Sequence, residues 1–383
     1  IVGTPRADRF NGTNGADIYR GGGGNDTISG NGGNDRLFGE DGNDSIGGGT
    51  GSDGLYGGQG NDTLLGGDGA DSLYGEVGAD VLDGEQGSDV VYGGQGNDTV
   101  IGNTEGGDSL FGETGDDLFL LSSTSFLVDG GTGYDTVDYS RVAAQPGPMT
   151  GVQFVIGLIA GDIQVGPINV EKLIGTGGND TFLGDQSNNW LVGGKGEDVL
   201  FGSAGSDTFE GGDGNDAYFI GAASRGEQRI IYSSGQDTLL ISGTAGTIQK
   251  YTISVSGKDV LVTFDKGSTT YPSTITVQGA ADAYRNGLFG IAEATQVGND
   301  FNMKQVGGAV RLAGGAEMVG GSMNDVLSVW DNFYLASTRG VSMTGGRGAD
   351  TFIVKDGFFN VTLNDYNVNE RDRISFDDSG YIK

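Results

Sequence analysis

Between Tyr19 and Val100 the chain places one apolar residue at every ninth position: Tyr19, Ile28, Leu37, Ile46, Leu55, Leu64, Leu73, Leu82, Val91 and Val100. Each follows an aspartate by two residues, and Gly, Asn, Asp, Ser and Thr fill most of the positions between. A period of nine fits neither an amphipathic helix nor an ordinary alternating strand, and it marks a structural repeat. In a unit such as GGQGNDTLL, residues 57–65, six residues of GGxGxD form permit positive φ and close backbone approach. The three that follow, Thr63, Leu64 and Leu65, suit a short extended segment whose middle residue points inward. Two units predict one flattened coil of 18 residues, with two turns on opposite edges joined by two strands. Stacked coils then form two parallel sheets at about 4.8 Å per layer, an all-β parallel β-roll.

The aspartates keep the register: Asp17, Asp26, Asp35, Asp44, Asp53, Asp62, Asp71, Asp80, Asp89 and Asp98 are successive steps of nine, with Asp8 in a degenerate copy before them. A ten-residue step leads to Asp108 through GNTEGGD, Asp117 restores the frame, and Asp135 lies eighteen beyond it. The intervening LSSTSF has neither Gly nor Asp, so that edge is expected to hold no metal. The pattern assigns 1–138 to a first array and 139–174, with Pro146 and Pro148 and the strands VQFVIGL and INVEKLI, to an excursion. A second array covers 175–220 with Asp180, Asp198, Asp207 and Asp216, and Asn189 in the place of one aspartate. From 221 to 305, RIIYSS, DTLLIS, KYTISVS, DVLVTFD and STITVQG alternate apolar and polar residues, predicting an antiparallel β unit with a hairpin turn at residues 256–259. Residues 306–383 contain two late units with Asp325 and Asp350, predicting a short C-terminal β-roll or cap.

The residue three after each aspartate divides the edges: one series reads Phe38, Tyr56, Tyr74, Tyr92 and Phe111, the other Ser29, Gly47, Leu65, Asp83 and Ile101. One sheet should therefore carry an outer aromatic ladder, which either stiffens that sheet or docks something.

Composition narrows the chemistry. The chain has 383 residues, 78 Gly, 5 Pro, no Cys, no His and a formal charge of −31. That charge argues against nucleic acid or an anionic membrane and favours cations. Lack of Cys and His removes disulfides, thiolate metal sites, HExxH zinc sites and Ser-His-Asp triads. No run approaches a membrane span, and the opening IVGTPRADRF lacks the form of a signal peptide and begins inside a repeat, as a fragment would. Carboxylate pairs are uninformative among 52 acids, GGGGND lacks the Lys of a phosphate loop, and Trp190 and Trp330 suit core or cap, so no enzyme is expected.

Burying about one large side chain per nine residues yields ~1.5–3 kcal/mol. Ordering costs ~1–2 kcal/mol for every residue, so the turns need another source of cohesion. A flexible Gly-rich linker does not need an apolar residue at a fixed offset, and a solenoid stacked on Gly and Leu alone leaves the repeated Asp unexplained. Carboxylates with backbone carbonyls suit Ca²⁺, which takes 6–8 oxygens in adaptable geometry, better than the stricter octahedron of Mg²⁺.

GGQGNDTLL and its tandem neighbours resemble the hemolysin-type calcium-binding nonapeptide of RTX proteins. The resemblance implies a β-roll with each ion between two turns on one edge, held by second- and fourth-position carbonyls and the Asp of one turn, and by first- and third-position carbonyls and the Asp of the next. Asp44 with the Glu40 and Gly42 carbonyls would face Asp62 with those of Gly57 and Gln59. On the other edge, Asp53 with Gly49 and Gly51 would face Asp71 with Gly66 and Asp68. Interior aspartates would be shared by two ions, and Asn189 would make a weaker site. DTLLIS through TVQG resembles a small domain that accompanies such arrays, and NVTLNDYNVNERDRISFDD resembles the C-terminal end of type I secreted proteins.

Two functions are implied. One is a calcium-binding structural or adhesive scaffold of an adhesin or surface layer, extracellular or at the cell surface, with self-association or surface assembly as its partner chemistry. The other is a secretion and folding tail of a larger enzyme or toxin. Both involve type I export.

Overall fold

The structure, a computed structural model, describes residues 1–103, 107–124, 126–142, 153–155, 159–160, 163–164, 168–221, 224, 226–244, 251–264, 274–286, 288–297, 300–307, 310–313, 316–319, 326–330, 341–344, 351–355, 361–363 and 373–377. The chain forms two compact units, residues 1–143 with 154–176 and residues 144–153 with 177–383.

In the first unit successive strands alternate between two parallel sheets. One contains Ile18–Gly23, Arg36–Asp41, Gly54–Gln59, Ser72–Val77, Val90–Gln95, Ser109–Thr114 and Leu127–Asp129. The other runs from Arg9–Asn11 through Thr27–Gly32, Ser45–Thr50 and Thr63–Gly69 to Thr136–Asp138, and Lys172–Ile174 joins its end. Registers are those of an 18-residue coil: Leu37 pairs with Leu55 and Leu55 with Leu73. The ten-residue unit is absorbed as one step of nineteen, pairing Val91 with Leu110 and Val100 with Phe119. The inward series forms the core, with Leu37, Leu55, Leu64, Leu73, Leu82 and Val91 all fully buried.

Most strands are longer than the triplet that the repeat predicts. Arg36–Asp41 runs into the next turn, pairing Glu40 with Gly58 and Asp41 with Gln59, because the turn backbone also stacks coil on coil. The aromatic ladder is present: the rings of Phe38, Tyr56, Tyr74, Tyr92 and Phe111 stack at 4.6, 4.9, 5.2 and 4.8 Å. Arg20 lies over Phe38 at 4.2 Å and pairs with Glu40 at 2.9 Å. The strand within INVEKLI belongs to the roll, since Leu173 pairs with Val137.

The second unit continues the same construction. Trp190–Lys195, Thr208–Asp213, Gln228–Ile231 and Thr274–Gln278 form one parallel run. Thr181–Leu183, Val199–Phe201, Ala217–Ile220, Asp237–Thr244 and Phe289–Val297 form the other. RIIYSS and DTLLIS, whose alternation suggested an antiparallel unit, are thus further coils of a roll. Antiparallel pairing begins at the hairpin Tyr251–Ser256 with Asp259–Phe264, turned through Gly257 at φ +65° where Ser256 pairs with Asp259, and recurs where Asp300–Gly307 pairs with Phe289–Val297. A short helix, Ala281–Arg285, was not anticipated. Farther on, Ala316–Val319, Val341–Thr344 and Val361–Leu363 pair in parallel, as do Val310–Ala313, Val326–Trp330, Thr351–Lys355 and Arg373–Asp377. Among the described residues no helix is long and apolar enough to cross a membrane.

Candidate metal centre

The repeat turns rest on glycines that leave no room for a Cβ. A Cβ on Gly66, first in its turn, would lie 2.6 Å from both Asp71 Oδ2 and the Gly84 carbonyl of the next coil. Gly60, fourth in its turn, has φ +125° and is pressed against the Gly42 carbonyl. The second position is also left-handed: Glu40 and Glu76 hold φ +74° there and Glu85 +65°, at a cost of about 1 kcal/mol each.

The aspartates form one ladder along each edge. The Asp44 amide donates to Asp62 Oδ1 at 2.7 Å, the Asp62 amide to Asp80 Oδ1 at 2.7 Å, and the Asp53 amide to Asp71 Oδ1 at 2.7 Å. Asp26, Asp35, Asp89, Asp98, Asp108, Asp117 and Asp135 continue the arrangement, while Asp17 is half-buried in the first coil. In the second unit Asp180, Asp198 and Asp216 make one ladder, and Asn189 and Asp207 the other, with the Asn189 amide donating to Asp207 Oδ1 at 3.0 Å. Asp325 and Asp350 lie outside the described residues.

What the ladder leaves over is the second carboxylate oxygen. Oδ2 of Asp26, Asp35, Asp44, Asp53, Asp62 and Asp71, and of most of the later turns, is buried without a hydrogen-bond partner. Such orphaned oxygens are costly unless a cation satisfies them. Burial, opposed by the hydrogen bond each accepts from the backbone and aided by neighbouring carboxylates, pushes Asp62, Asp71 and Asp98 up to about 6 and Asp80, Asp89 and Asp135 to about 7.

Carbonyls converge on the same gaps. The Glu40 and Gly42 carbonyls face Gly58 and Gly60 of the next coil, while the Gly57 carbonyl faces back to Gly39 and the Gln59 carbonyl accepts the Gly42 amide at 2.8 Å. On the other edge the Gly49 and Gly51 carbonyls face Gly67 and Gly69, the Gly66 carbonyl faces Gly48, and the Asp68 carbonyl accepts the Gly51 amide at 2.8 Å. No cluster of three or more carboxylates occurs among the described residues, so a cation here would draw on one carboxylate from each turn and on backbone oxygen. This oxygen-only donor set suits Ca²⁺.

Three residues in the ladders escaped the count of nines. The Asp135 amide donates to Glu171 at 2.8 Å, so Glu171 takes the aspartate position after the excursion. Asp237, 21 residues beyond Asp216, accepts the Asp216 amide at 3.0 Å, and Gln228 holds the corresponding place after Asp207, its Nε2 donating to the Gly205 carbonyl at 2.7 Å. Phe126 stands opposite Asp108, at the edge expected to hold no metal. A parallel ladder runs through the asparagines preceding the aspartates: the Asn61 amide donates to Asn43 Oδ1 at 3.0 Å and the Ala79 amide to Asn61 Oδ1 at 2.9 Å. The recurring Asn-Asp pair was its signal.

Residues 1–28, 11–46, 20–55, 29–64, 47–82, 74–105, 170–200 and 183–218 match the family described as RTX calcium-binding nonapeptide repeat (4 copies). No curated protein matches the chain. Spacing, buried carboxylates and family match coincide, and residues 1–105 and 170–218 are RTX calcium-binding nonapeptide repeats wound into parallel β-roll coils.

Proposed function

We propose that the protein is an extracellular or cell-surface scaffold module, structural or adhesive, that is exported unfolded by type I secretion and folds when its turns bind Ca²⁺. The reading is supported above all by the orphaned, buried Oδ2 that recurs at each aspartate from Asp26 to Asp98 and again at Asp117, Asp135, Asp198, Asp207 and Asp216. Ionised, these carboxylates oppose folding at neutral pH, and a bound cation reverses that sign. Asp44 with the Glu40 and Gly42 carbonyls, and Asp62 with those of Gly57 and Gln59, would hold one ion, and sharing Asp62 with the next gap leaves about one formal negative charge per ion. The chain's role is then binding and shape rather than catalysis.

Metal-binding free energy becomes folding free energy when ligands are scattered along a chain. In a cytoplasm poor in calcium the chain stays extended, and at roughly millimolar calcium outside the cell it winds up. Far-UV circular dichroism of the full chain, titrated with Ca²⁺ from chelator, tests this: a cooperative gain of β signal is expected, and a complete β spectrum in chelator refutes it.

A further inference from the structure

The last aspartate turn of the second array is built differently from the rest. Its inward residue, two after Asp216, is Tyr218, where the neighbouring coils of that sheet place Leu200 and Leu239. Tyr218 is fully buried, and its hydroxyl donates to Asp237 Oδ2 at 3.3 Å. The same hydroxyl accepts the Gly211 amide at 3.2 Å, whereas Gly12, Gly130 and Gly184, also first in their turns, donate to backbone carbonyls of the following coil. A Cβ on Gly211 would meet Tyr218 Oη at 2.5 Å, where the equivalent Cβ on Gly66 would meet the Gly84 carbonyl. Next to it, Ser233 Oγ donates to the Gly212 carbonyl at 2.6 Å, a second-position oxygen.

We propose that Tyr218 closes this turn without metal: its hydroxyl satisfies the carboxylate oxygen of Asp237 that an ion would otherwise need, and the Asp216–Asp237 gap binds no Ca²⁺. The inference rests on the calcium reading of the other turns. It converts the end of the array from an ion-stapled layer to a hydrogen-bonded one. One coil earlier, Oδ2 of Asp198 has no hydrogen-bond partner, and Oδ2 of Asp216 within the turn stays without one as well, because the single Tyr218 hydroxyl proton goes to Asp237.

The test counts ions per full-length chain at saturating Ca²⁺ by elemental analysis, in wild type, Asp62→Ala, Asp237→Asn and Tyr218→Phe. Asp62→Ala should lose ions, and a wild type that binds none refutes the calcium reading itself. Given binding, Asp237→Asn should keep the wild-type count, and Tyr218→Phe should gain one ion because the freed carboxylate and the vacated space admit it. Loss of an ion in Asp237→Asn overturns the proposal, as does an unchanged count in Tyr218→Phe. A second readout separates the two ideas: in chelator with a folding osmolyte, Tyr218→Phe should melt below wild type, and equal melting denies the hydroxyl any closing role.

Discussion

Asp62→Asn should act in opposite directions with and without calcium. Asn keeps the Oδ1 acceptor that receives the Asp44 amide at 2.7 Å, so the ladder persists and only charge is removed. Burial holds the Asp62 carboxyl up at about 6, against an ordinary 3.8. Keeping it ionised in a calcium-free coil at about pH 8 therefore costs at most about 3 kcal/mol, and about 1–2 kcal/mol after allowance for counter-ions around the turn. In chelator, with folding driven by trimethylamine oxide, the variant should fold at lower osmolyte concentration than wild type. In saturating calcium two gaps each lose a charged ligand, and at ~1.5–3 kcal/mol per charged contact the variant should be less stable by about 3–6 kcal/mol in urea unfolding. Its calcium midpoint should rise accordingly. Stability equal to wild type in both conditions would show that Asp62 serves only as a hydrogen-bond acceptor, and the shared-ion reasoning would fail.

The pH response follows from the same groups. Because burial raises Asp80, Asp89 and Asp135 to about 7, the calcium-free coils are favoured while these carboxyls are protonated and lose that stability as pH rises through about 7; with calcium the order inverts, as protons displace the ion below that pH. Osmolyte-driven folding in chelator should thus be easier at about pH 5 than at about pH 8, with calcium affinity falling over the same interval; a flat response in both refutes the assignment. Replacing Tyr56, Tyr74 and Tyr92 together by Ser removes four stacked contacts at ~0.5–1.5 kcal/mol each, so stability should drop while the sedimentation coefficient of the folded chain is unchanged. Loss of association with the roll intact would instead make the ladder an interface.

Much of the fold was legible because the repeat reports two things independently. Leu37, Leu55 and Leu64 mark the inward face, and the aspartate two residues earlier marks where each turn closes. The count failed wherever a loop changed length. Asp237 and Gln228 follow their partners by 21 residues and Glu171 follows Asp135 by 36, so subtraction missed all three. A local rule would have found them, since Leu239, Ile230 and Leu173 each lie two residues beyond and are buried in the core. RIIYSS and DTLLIS misled because apolar patterning reports burial and not strand direction: Leu239, Leu240 and Ile241 are all buried in a strand whose two neighbours run parallel to it. The asparagine ladder passed unnoticed because Asn before Asp was read only as turn composition.

The 18-residue register also governs how such a chain can change in length. Each aspartate depends on the residues one coil before and one coil after it, as Asp44, Asp62 and Asp80 do, and on nothing more distant along the array. Duplication or loss of a whole coil therefore leaves every remaining neighbour relation intact, and array length can drift over generations in steps of two repeats. A step of one repeat has a different result. It would exchange the two faces downstream of the change, setting Tyr74 and Tyr92 over the column that carries Gly47 and Leu65 and cutting the aromatic stack in two. The single extra residue before Asp108 is milder still, because both columns shift together and the Asp89 amide keeps its carboxylate at 3.0 Å. Inheritance in this chain is thus counted in even numbers, with isolated insertions tolerated at the bends.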